Sequence, residues 1–142
     1  MKRASLYILK NNIVLYSLSV GDSSWKASKP FYKLPVDYNS KLVDAIRSVL
    51  ENSKENREFE EGYSPSKALK ESLGLTFSKL QGIDSKLISL SQEADRIIFS
   101  PNKIIGANKG FVPVEENSIS IIETSSDEEI INALQNALFH CE

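Results

Sequence analysis

Apolar positions recur along the chain with two periods, one helical and one of strand type. Towards the end, Ile130, Ile131, Leu134, Ala137, Leu138 and Cys141 follow one another at three- and four-residue steps, which gathers them on one face of a helix. Ser125 precedes the run and Glu128 stands three residues on, the spacing of a capping box. The hydroxyl accepts a first-turn N–H and the carboxylate reaches back. Ser126, Asp127, Glu128 and Glu129 add hydroxyls and negative charge at the helix's positive end. Burial of its large aliphatic side chains contributes roughly 1.5–3 kcal/mol each before entropy is counted, so this helix should lie on a sheet and close the core. Leu42, Val43, Ile46, Val49 and Leu50 form a second stripe, capped by Asn39 or Ser40, with Lys41, Asp44, Arg47 and Ser48 on the other side. Ser64-Pro65 opens a shorter helix. In it Ala68, Leu69 and Leu73 face inward and Gly74 ends the pattern, and Thr76 then caps one more turn through Leu80.

The strand-type runs are residues 5–9 and 13–18 around Lys10-Asn11-Asn12, a tight hairpin because Asn tolerates positive φ. Residues 20–24 read as a turn with Trp25 alone after it. Residues 31–34 lie between Pro30 and Pro35 and predict a short edge strand, since proline donates nothing to a ladder. Residues 86–92 and 96–100 are joined by Glu93-Ala94-Asp95; residues 111–114 and 118–123 follow a glycine loop and are expected to pair as the last two strands. The sum is an α+β fold: a single domain over residues 1–142, with an antiparallel or mixed sheet of about six or seven strands and two longer helices packed on it. At 142 residues such a domain buries roughly two thirds of its unfolded surface and needs no staple.

Composition changes this picture little. A net charge of −2 argues against a strongly basic nucleic-acid binder, and the single cysteine, Cys141, excludes an internal disulfide. The basic start, Met1-Lys2-Arg3-Ala4, leads into an apolar run broken at Lys10, too short for a signal peptide, and no stretch of about 18 apolar residues exists. A soluble cytoplasmic protein is expected. Catalytic apparatus is not visible. His140 and Cys141 are adjacent and cannot build a zinc site, and a catalytic His140 would sit where chain ends fray. Gly106-Ala107-Asn108-Lys109-Gly110 lacks the Gly-Lys-Ser/Thr ending of a phosphate loop and reads as a strand connection; with Lys103 and Phe111 it supports at most a small nucleic-acid-binding surface using the sheet and the Lys103–Lys109 loop. The segment 51–62 is different. Glu51, Glu55, Glu58, Glu60 and Glu61 crowd it, with Phe59 and Tyr63 interleaved. It predicts a mobile, solvated segment or an interaction surface for a basic partner, in which charge speeds encounter and aromatics anchor.

Across its whole length the sequence resembles the immunity proteins of bacterial contact-dependent growth inhibition systems. The resemblance is carried by Ala4-Ser5-Leu6-Tyr7-Ile8, Phe31-Tyr32-Lys33-Leu34-Pro35, Leu75-Thr76-Phe77-Ser78-Lys79-Leu80 (where the family often has Trp for Phe77), Ile97-Ile98-Phe99-Ser100-Pro101, Lys109-Gly110-Phe111 and the stretch from Glu128 to Cys141. It implies an antidote that binds the C-terminal toxin domain of an effector, often a nuclease, in a one-to-one complex and blocks its active site. It implies no catalysis and no cofactor, with neither membrane nor nucleic acid as partner. Binding residues do not transfer by motif in such proteins. From local chemistry the expected toxin-facing residues are Glu55, Glu58, Phe59, Glu60, Glu61 and Tyr63, with Trp25, Asp37 and Tyr38 second. Phe99, Pro101, Gly110 and Phe111 are expected to hold the fold.

Overall fold

The computed structural model describes residues 1–21, 24–82, 84–105 and 110–141. Seven strands form one sheet: β1 (Lys2–Ile8), β2 (Asn12–Val20), β3 (Trp25–Pro35), β4 (Lys86–Glu93), β5 (Arg96–Ile104), β6 (Phe111–Pro113) and β7 (Ile119–Ile122). Four helices accompany it: α1 (Ser40–Glu51), α2 (Pro65–Leu73), α3 (Phe77–Leu80) and α4 (Asp127–Phe139). Every pairing is antiparallel, in the order β3-β2-β1-β4-β5-β6, with β7 also on β5.

Side chains alternate across this sheet, so each strand feeds two cores. Leu6 lies opposite Leu15 and Ile88, and these join Ile97 and Phe99 beneath α1 and α4. Tyr7 lies opposite Val14 and Leu87, and these join Tyr16 and Ala27 beneath Leu69 of α2 and Leu80 of α3. The second core is aromatic: Tyr7 meets Phe111 and Tyr16, and Tyr16 meets Phe31 and Phe77, with centroids 5.7–6.3 Å apart. The Tyr7 and Tyr16 hydroxyls are 3.3 Å apart, so each polar tip has a partner inside the apolar layer.

Buried hydroxyls tie α1 to β2. Ser17 Oγ donates to the Val49 carbonyl in the last turn of α1, one of the helix-end acceptors that lack an intrahelical partner. Ser53 Oγ donates to the Leu18 carbonyl and accepts the Arg3 N–H at 2.8 Å. No helix among the described residues is long and apolar enough to cross a membrane.

Several expectations are corrected. The capping box of α4 belongs to Ser126 and Glu129, one residue later than Ser125 and Glu128, because Ser125 is used by a turn in which its N–H donates to the Ile122 carbonyl at 3.0 Å. The run 31–34 is the second half of an 11-residue edge strand that starts at Trp25. Pro30 is tolerated there because the register shifts between Ser28 and Phe31. Strands β6 and β7 do not pair with each other. Lys103 and Ile104 of β5 face Val112 and Phe111 of β6, whereas Arg96 to Phe99 face Ile122 to Ile119 of β7. The shorter helix expected from Ser64-Pro65 to Gly74 forms as α2, with 9 residues, Ser64 as its cap and Gly74 at its end, and it covers the aromatic face. Most of the glycine loop, residues 106–109 and with them Lys109, lies outside the described residues.

Candidate functional site

The acidic segment carries the chain from α1 on one face of the sheet to α2 on the other, across the corner where β2 ends and β3 begins. It is attached to that corner by its backbone. The Val20 N–H donates to the Lys54 carbonyl at 2.9 Å, the Arg57 N–H donates to the Val20 carbonyl at 3.1 Å, and the Lys54 N–H donates to Ser19 Oγ at 3.0 Å. At the far end the Tyr63 hydroxyl donates to the Ala27 carbonyl of β3 at 2.7 Å. What reads in the sequence as a loose acidic stretch is thus fastened to the sheet at both ends.

The expected site residues fall into three groups. Glu58, Glu60 and Glu61 are exposed, and their carboxylates have neither a hydrogen bond nor an ion pair among the described residues. Glu55, Phe59, Tyr63 and Trp25 are at the same corner but are already engaged within the protein. Glu55 pairs with the Met1 amine at 2.9 Å. The Phe59 and Tyr63 rings stack with centroids 4.7 Å apart, and the Lys26 ammonium and the Arg57 guanidinium each lie 5.4 Å from the Phe59 centroid. Burial pushes the Tyr63 hydroxyl's pKa up, with Arg57 opposing the rise. The Arg3 guanidinium lies 4.9 Å from the Trp25 centroid. Asp37 and Tyr38 are not in the cluster. They follow Pro35, at the other end of the 11-residue β3, about 30 Å away at the rise of an extended strand. Tyr38 packs against the aliphatic core, and its pKa is raised by burial.

Two open clefts of about 610 Å³ each flank the segment and share Arg57 to Glu60, Gly62 and Tyr63 as walls. Their lining includes cations that the acidic reading missed: Lys29 and Lys67 in one, Lys26 in the other, and Arg57 in both. No signal in the segment's own composition reports Lys26, Lys29 or Lys67, because β3 and α2 bring them there. The corner is therefore a ridge of three free carboxylates set in a partly basic surround. The stacked Phe59 and Tyr63 rings line both clefts beside them. No group of three or more His, Cys, Asp or Glu suited to a metal ion occurs among the described residues.

No protein-family model matches the sequence, and no curated protein matches it either. Solved structures do share its shape. A protein of unknown function from Neisseria meningitidis superposes with a TM-score of 0.76 at 15% identity, covering 99% of this chain and 95% of that one. A chain of the CdiA-CT/CdiI toxin and immunity complex from Yersinia pseudotuberculosis superposes with a TM-score of 0.75 at 16% identity, covering 99% of this chain and 97% of that one. Both matches span the sheet and all four helices, so this chain shares its fold with the Neisseria protein and with a chain of the Yersinia toxin and immunity complex.

Proposed function

We propose that this chain is an immunity protein that binds and neutralises the toxin domain of a contact-dependent growth inhibition effector, a nuclease whose active site it blocks. The observation that carries the reading is the full-length likeness to a chain of a toxin and immunity complex. The corner supports it. A nuclease presents cationic groups to the phosphates of its substrate. Glu58, Glu60 and Glu61 offer carboxylates that are unpaired among the described residues, so no ion pair seen there has to be broken to receive those groups. The protein acts by occupancy and not by catalysis. Protection requires tight binding, of nanomolar order or about −12 kcal/mol, over an interface of roughly 1,600 Å² in total.

The test is co-expression with the C-terminal domain of a large secreted protein encoded immediately upstream, the partner this reading requires. Growth rescue and co-purification in a one-to-one complex are expected. Continued toxicity with both proteins soluble would refute the reading. Charge reversal at Glu58, Glu60 and Glu61 together should weaken the complex by about two orders of magnitude or more if each contact is worth about 1 kcal/mol. Unchanged affinity would remove the ridge from the interface while leaving the antidote role standing.

A further inference from the structure

We propose that residues 53–63 form a strap already ordered in the free protein, and that Gly21 and Tyr63 are positioning residues that fix its three free carboxylates for the partner. The inference rests on the toxin-binding reading for the identity of the partner, but the ordering of the strap does not. Three observations carry it. First, the strap is fastened on both sides of the carboxylates: upstream by the two backbone bonds to Val20 and the Lys54–Ser19 bond, downstream by the Tyr63–Ala27 bond. Second, the strap's own rings stack on each other, Phe59 on Tyr63, and are half-buried, whereas Glu58, Glu60 and Glu61 are exposed. Third, the strap runs against the backbone of Gly21 with no room to spare. A Cβ built on Gly21 would stand 2.7 Å from the Arg57 carbonyl oxygen, closer than real Cβ atoms approach, and 3.6 Å from the Phe59 ring. Only the lack of a side chain at Gly21 allows the Arg57 backbone to reach Val20. A surface ordered in advance loses less conformational freedom on binding than a loop that must be ordered by its partner.

Two variants separate the parts of the proposal. Gly21→Ala pushes on the Arg57 carbonyl from below; Tyr63→Phe deletes only the hydroxyl that reaches Ala27. The first measurement is native-state amide exchange on the free protein, with no ligand. In the wild type, the Arg57 and Lys54 amides should be protected. Either variant should speed exchange at Arg57 by about tenfold or more, while amides of β1 and β4 and the urea midpoint stay unchanged. Unprotected Arg57 in the wild type, or wild-type protection of Arg57 in both variants, overturns the strap. The second measurement is the affinity of the same variants for the co-expressed toxin domain, with a loss of about tenfold expected from the lost pre-organisation. Wild-type affinity in variants whose straps exchange faster overturns the positioning role. Failure of the wild type to bind any toxin domain overturns the functional reading, and amide exchange still decides the strap. If Gly21→Ala fails to fold, Tyr63→Phe carries both measurements.

Discussion

Replacing Arg47 by Met tests how the two helices of the aliphatic face are held together. Arg47 projects from α1, and its guanidinium donates twice to the turn before α4: Nη1 to the Glu123 carbonyl at 2.7 Å and Nη2 to the Ser125 carbonyl at 2.9 Å. Those acceptors lie 76 and 78 residues along the chain, so the fork staples distant segments. Methionine keeps the apolar stem and removes both donors. A hydrogen bond to a charged group contributes about 1.5–3 kcal/mol. The site is half-buried, so water recovers part of the loss, and the lower end of the range applies twice with a discount. The expected cost is about 2 kcal/mol, or a fall in Tm of about 6–10 °C for a domain of this size. Arg47→Lys should lie between, because an ammonium does not reproduce the planar fork. The assay is urea unfolding followed by circular dichroism. The midpoint should fall at constant slope. A loss below about 0.5 kcal/mol for Arg47→Met would refute the staple.

Two further predictions concern the fold. Ser126→Ala should cost about 1 kcal/mol through loss of the cap to the Glu129 N–H, whereas Ser125→Ala, whose backbone and not whose hydroxyl is used, should cost less than about 0.5 kcal/mol; equal costs in thermal unfolding would contradict the assigned cap. Burial raises the pKa of Tyr7, and that of Tyr16 well above the ordinary 10.0. The unfolded chain then releases its phenolic protons at lower pH than the folded one, so stability holds below pH 10.0 and falls as pH rises through the folded values. Urea midpoints measured from neutral pH to above 10.0 should show that fall, and the double variant Tyr7→Phe with Tyr16→Phe should flatten it; an unchanged slope in the double variant would place the titration elsewhere.

What the sequence revealed depended on how local the physics was. The stripes of α1 and α4 were legible because a helix repeats every 3.6 residues and reports its buried face without reference to anything else. The stop at Gly74, which adopts φ 69°, was legible because a left-handed helix end favours glycine. The hairpin at Asn11-Asn12 forms, but without the positive φ expected of its asparagines; among the described residues the non-glycine residue with positive φ is Ala94, in the turn between β4 and β5. The cap of α4 was ambiguous at the level of sequence, since both Ser125–Glu128 and Ser126–Glu129 satisfy the spacing; only the turn from Ile122 chooses between them. Arg47 and Ser48 read as solvent-facing. Their partners are the Glu123 and Ser125 carbonyls and the Tyr32 hydroxyl, the last 2.9 Å from Ser48 Oγ, and tertiary contacts of that kind leave no periodic trace.

The candidate site divides in the same way. Its carboxylates were legible from composition. That Phe59 and Tyr63 stack on each other, that Lys26, Lys29 and Lys67 border the ridge, and that Asp37 and Tyr38 sit at the far end of β3 all follow from how β3 and α2 dock. The Gly21 contact joins residues 36 positions apart and had no local signal at all.

The most direct test of the proposed function is a calorimetric titration of the purified protein into the purified C-terminal domain of a large secreted protein encoded immediately upstream, the proposed toxin. A one-to-one complex of nanomolar affinity or tighter is expected, with the proposed nuclease activity of that domain lost in step with occupancy. No heat of binding at micromolar concentrations, with both proteins folded, would contradict it.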